Sequence, residues 1–228
     1  MKIKSKKIAS NILVIICDNS YDLGMTFVRL QEFYESPEYK GKYFTLEEYM
    51  DYWIANQGNG VFNYPTVWSG FNVPGQVFLE WVNLFRPRML RDKECQLLRE
   101  VMLNFDGNID VIRNSYIIGV SNSSTKIQKK DIIGHEVAHA LYKTSEKYKA
   151  SCDALLAEVR VDKVANVYSN IMESRLIKMG YCKDVIDDET QAYWSASRGE
   201  YSEVEIISKF EKNLKKHIKN NKIKIGNI

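Results

Sequence analysis

The residues whose types and spacing can do chemistry lie together at His135-Glu136-Val137-Ala138-His139. On an α-helix, residues four apart share one face and sit about 6 Å apart along the axis, so two imidazoles at that spacing can each aim a ring nitrogen at one ion. Glu136 is three residues before His139 and falls beside the same face, where a carboxylate can act on a water without binding the ion itself. The donor set suits Zn²⁺ held by His135 and His139, with Glu136 as the general base that takes a proton from water. Ile132, Ile133, Val137, Ala138, Ala140 and Leu141 wrap this group in an apolar helix. Burying such a group is costly unless something compensates it, and a metal does so. The chain has three histidines, and the third, His217, reads as a solvated residue of a lysine-rich tail.

The run Ile132-Ile133-Gly134-His135-Glu136-Val137-Ala138-His139-Ala140-Leu141 resembles the active-site helix of the zincin metallopeptidases. The resemblance covers about residues 115–145 and implies a strand before the helix, a catalytic zinc and hydrolysis of peptide bonds. No glycine-turn-histidine continuation follows His139, which points to the branch that uses a downstream glutamate as third ligand. Two glutamates compete. Glu158 lies 19 positions after His139, similar to a spacing of that branch, with Asp162 placed to support a histidine. Glu189 lies 50 positions after His139 and opens a predicted helix behind Asp187 and Asp188, whereas Glu158 sits among Arg160, Asp162 and Lys163 on what reads as an exposed face. The preferred set is His135, His139 and Glu189, with Glu158 left open. Glu32-Phe33-Tyr34-Glu35-Ser36, Trp68-Ser69-Gly70-Phe71 and Asp188-Glu189-Thr190-Gln191-Ala192-Tyr193, with Gly180-Tyr181 before the last, also resemble a little-characterised family of small zincin-like proteins. Tyr193 and Tyr142 are candidates for the donor that a tetrahedral oxyanion needs.

Periodicity supplies the elements that must position these residues. Asn11 to Cys17 reads as a buried strand and Tyr21 to Ser36 as a helix, with Pro37 just beyond it. Thr45-Leu46-Glu47-Glu48 is a capping box opening a helix to about Gln57. Gly58 to Gly75 reads as a loop whose aromatics either cap the core, the preferred reading, or line a substrate groove. Helices follow at about 75–85 and 91–104, then a turn at Asp106-Gly107-Asn108 and a short buried strand, Tyr116 to Val120. The motif helix spans Asp131 to Lys143, one long helix runs from Tyr148 to Met179 with a stop at Gly180, and 188–198 and 204–220 are helical.

The expected fold is α+β and mostly helical, zincin-like, with a small β-sheet packed on the motif helix. One domain is expected over residues 1–228: a mainly helical part (1–105), a catalytic part (106–200) and a basic C-terminal helix or tail (201–228). Cys17, Cys95, Cys152 and Cys182 form no CxxC pair, which suggests neither a thiolate metal site nor a disulfide framework and fits a reducing, cytoplasmic setting. No run reaches the roughly 18 apolar residues of a membrane span. The net charge is +3, with four lysines in residues 1–7 and a net +4 in residues 201–228, so residues 8–200 carry −5. The basic ends read as solvated faces, and nucleic acid is not an expected partner; a protein or peptide substrate is. The competing reading is a non-catalytic zinc-containing binding module that contacts protein or nucleic acid.

Overall fold

The computed structural model describes residues 3–179, 181 and 183–227. The chain falls into two compact units, one up to Ile133 and the other Gly134–Asn227. Together they make an α+β protein that is predominantly helical with one mixed sheet of four strands among the described residues.

In the first unit the order is β1 (Lys4–Ala9), β2 (Ile12–Cys17), α1 (Ser20–Glu35), α2 (Leu46–Asn56), α3 (Tyr64–Val67), β3 (Gly70–Pro74), α4 (Gly75–Phe85), α5 (Asp92–Asn104), α6 (Ile109–Arg113) and β4 (Tyr116–Ser121). The sheet order is β1-β2-β4-β3, with β2 and β4 parallel and both outer strands antiparallel to their neighbours. Strands covered on both faces read as continuous apolar runs; all of β4, and β2 apart from Ile16, is buried. Gly119 lets α1 approach β4, because a Cβ there would come within 2.6 Å of the Phe27 ring. Phe27 in turn stacks on Phe71 of β3, with ring centroids 5.3 Å apart.

Sequence and structure differ here in two places. The lysine-rich start, read as a basic stretch, is the edge strand β1, where charged side chains protect an open edge. The segment read as one loop from Gly58 to Gly75 contains α3 and β3. Its glycines and prolines mask the alternation of buried Phe71 and Val73 with half-buried Gly70, Asn72 and Pro74. Its aromatics do enter the core, with Tyr64 and Phe71 buried and Trp53 of α2 packed against Tyr64. The Thr45–Glu48 capping box is present.

α7 (Lys126–Thr144) carries the chain from the first unit into the second and begins five residues before the expected Asp131. Then come α8 (Glu146–Val161), α9 (Lys163–Lys178), α10 (Ile186–Ser195) and α11 (Glu205–Asn220). The single long helix expected over 148–179 is therefore two. Asp162 breaks it, its carboxylate accepting from the amides of Val164 and Ala165 at 3.0 and 2.8 Å, which caps α9 and ends α8. The expected stop at Gly180, and Cys182, lie outside the described residues. α11 is amphipathic and buries Ile207, Phe210 and Leu214, with Phe210 packed on Trp194 of α10. Among the described residues no helix is long and apolar enough to cross a membrane.

Candidate metal centre

Two helical segments of the second unit build the centre: the part of α7 from Gly134 onward presents His135, Glu136 and His139, and α10 presents Asp188 and Glu189. Eight of the ten residues of α10 are buried, although its sequence Asp187-Asp188-Glu189-Thr190-Gln191 is polar. Buried polar groups need partners. Asp188 Oδ1 lies 2.9 Å from His139 Nδ1 and accepts from Gln191 Nε2 at 3.1 Å, while its Oδ2 is 3.2 Å from Lys143 Nζ. Gln191 Oε1 accepts from Tyr148 at 3.0 Å. A carboxylate only accepts, so His139 carries a proton on Nδ1 and turns Nε2 toward His135 and Glu189, the arrangement by which outer partners orient ligating imidazoles.

The three facing groups converge. His139 Nε2 is 3.1 Å from His135 Nε2 and 3.7 Å from Glu189 Oε1, and His135 Nε2 is 3.9 Å from Glu189 Oε2. One donor atom from each residue lies within 4.8 Å of the others. Donors about 2.0–2.2 Å from one tetrahedral ion are roughly 3.3–3.6 Å from each other, so small side-chain adjustments bring this group onto a single ion. Glu189 Oε2 is also buried with no hydrogen-bond partner, the state of a ligand atom awaiting a cation. On both counts His135, His139 and Glu189 fit a divalent metal.

Burial disfavours charge on both imidazoles, but their neighbours separate them. For His135 burial wins, aided by repulsion from His139, and its pKa falls to about 3. For His139 burial is outweighed by the Glu189 carboxylate, the bond to Asp188 and the charge of Glu136, and its pKa rises to about 10. Burial pushes Glu189 up, with His139 pulling the other way; Asp188, despite burial, is held low by His139 and Lys143. Near neutral pH His139 therefore carries both ring protons, and an ion that takes Nε2 must displace one. Zn²⁺ binding is expected to release about one proton per ion and to tighten roughly tenfold per pH unit from mildly acidic pH up to the His139 pKa. Calorimetry in buffers of differing protonation enthalpy measures that proton directly. No release near neutral pH would mean that His139 meets the ion as a neutral imidazole and that its pKa is not raised.

Glu158 is elsewhere: it is exposed near the end of α8, where its carboxylate accepts from Lys209 at 3.1 Å. Asp162, considered as a support for a histidine, is the cap of α9. Tyr142 donates to Asp153 at 2.5 Å, which commits its hydroxyl, while the Tyr193 ring packs edge-on against His135 at 4.8 Å. His217 is half-buried with its ring against Tyr148 at 5.1 Å, rather than fully solvated, and takes no part in the cluster. Sequence reasoning missed Asp188 as the orienting partner of His139, having read it as a helix cap. The available signal was the pair of acids on adjacent positions, which turn about 100° apart on a helix and can serve a ligand's outer nitrogen and the ion itself. No family model, curated protein or solved structure matches the chain.

Proposed function

We propose that the chain is a zinc-dependent metallohydrolase of zincin-like architecture that cleaves peptide bonds, with His135, His139 and Glu189 as ligands and Glu136 as general base. The observation that carries this reading is the convergence of two imidazole nitrogens and a buried, unpartnered carboxylate oxygen beside Glu136, which is itself 7% exposed. The metal-fitting group has three members among the described residues, which favours a catalytic centre over the four-ligand closed site of a purely structural zinc. Bound there, Zn²⁺ supplies the Lewis acidity that makes water a nucleophile near neutral pH and polarises a carbonyl.

The chain's own residues do the rest. Glu136 accepts the proton of the attacking water on its carboxylate and returns it to the leaving amide nitrogen. Asp188 keeps His139 in the tautomer that faces inward, with Lys143 and Gln191 fixing Asp188 in turn. Tyr193 donates its hydroxyl proton in a hydrogen bond to the carbonyl oxygen as that atom gains charge; its pKa is raised by burial and by Glu189, so it stays a donor.

The test is elemental analysis after dialysis against a weak chelator, alongside cleavage of an unstructured protein substrate. The parent chain is expected to retain about one Zn²⁺ and to cleave; His139→Ala and Glu189→Ala to lose both, because removing a ligand leaves a two-donor site; and Glu158→Ala to resemble the parent. Stoichiometric zinc in Glu189→Ala together with loss in Glu158→Ala would reverse the ligand assignment.

A further inference from the structure

α9 keeps an apolar stripe in solvent where a surface helix ordinarily turns polar residues outward. Val164, Val167 and Ile171 are 61, 54 and 61% exposed and share one face. From Val167 to Met179 this face is the floor of a shallow, open groove of about 690 Å³, whose described lining lies wholly on α9 and its C-cap. Asn170 and Ser174 are interleaved along it, offering an amide and a hydroxyl that suit the backbone of an extended peptide. Among the described lining residues the charged ones are Arg175 and Lys178, and neither forms an ion pair with another described residue. The cationic end adjoins the centre: the Arg175 guanidinium is 5.9 Å from the Tyr193 ring, which itself lies against His135.

We propose that this face of α9 is the substrate groove, and that it takes an extended peptide whose aliphatic side chains lie on Val167 and Ile171 and whose acidic residue is held by Arg175. The inference rests on the peptidase reading above and names the substrate class for it. From Val164 to Lys178 the face rises roughly 20 Å, which matches about six residues of extended chain. Guanidinium recognition of a carboxylate sets the register, and the aliphatic contacts supply affinity.

The experiment uses the zinc-loaded Glu136→Gln protein and two fluorescein-labelled heptapeptide amides of alternating leucine and alanine, identical except that one carries an aspartate where its twin carries a lysine. Fluorescence anisotropy is expected to show the aspartate peptide binding at least roughly tenfold more tightly. Arg175→Glu is expected to invert that order, and Ile171→Ser to weaken both peptides. Equal affinities, no binding of either peptide, or an order that survives Arg175→Glu overturns the groove. Both substituted residues are exposed, and far-UV circular dichroism checks that the variants fold. Hydrolysis by the unsubstituted chain separates the two ideas. A peptide that binds with the inversion but is never cut supports the groove and sinks the peptidase reading; cutting of both peptides alike, indifferent to Arg175→Glu, sinks the groove and leaves the peptidase.

Discussion

Glu136→Gln is expected to keep one zinc per chain and to slow peptide hydrolysis by about 10²–10⁴-fold, the usual contribution of a general base. Gln matches Glu in shape, so a residue buried on α7 loses little packing. What it loses is the capacity to take and return a proton. Because the ligand set does not include Glu136, metal content should be unaffected, and the loss should fall on kcat rather than on peptide affinity. A zinc-loaded Glu136→Gln protein that cleaves at the parent rate rules Glu136 out as the base; one that loses zinc makes it a ligand.

The half of the centre on α7 was legible because helix geometry acts within five residues: once Ile132 to Leu141 is helical, His135 and His139 must share a face. Of the half on α10, Glu189 was preferred over Glu158 because it opens a helix behind two acids, but its nearness to His139 was not itself legible, because what brings residue 189 back to residue 139 is the packing of whole helices, which leaves no local trace. Acidic residues at a helix start satisfy capping rules equally well on the surface and in the interior, so Asp188 carried no mark of its partnership with His139. The same distinction runs through the fold. Capping at Thr45 and the apolar runs of β2 and β4 are local signals, and they were read. β1 and β3 become strands only because a neighbour offers them an edge to pair with, and neither a run of lysines nor a Gly-Pro-rich stretch announces that. Asp162 shows the reverse error: a short local motif interrupted a helical pattern that periodicity alone had carried across it.

Glu94→Ala is expected to destabilise the chain by about 3–5 kcal/mol, a large part of the 5–15 kcal/mol typical of a whole domain. Glu94 on α5 is fully buried and Arg29 on α1 is 3% exposed. Arg29 Nε donates to Glu94 Oε1 at 2.8 Å and a second guanidinium nitrogen pairs with Oε2, while Arg91 adds donations from its side chain at 2.9 Å and from its backbone amide at 2.8 Å. Burial pushes the Glu94 carboxyl up, but these partners more than offset it and hold its pKa below the usual carboxylate range. A depressed folded pKa means stability that is present above the unfolded value and lost as pH falls through the folded one. The parent should therefore show an acid-sensitive loss of stability at and below the usual carboxylate range that Glu94→Ala lacks. The cost of the substitution comes from the guanidinium it strands in the interior rather than from the value of the pair, so removing both charges should behave differently from removing one. Arg29→Met combined with Glu94→Leu fills similar volume without charge and is expected to recover most of the loss in urea unfolding followed by far-UV circular dichroism. If the double variant is as unstable as Glu94→Ala alone, the stranded charge is not the cause, and the stability at stake lies in the carbonyls of Phe44 and Met89 that Arg29 also satisfies.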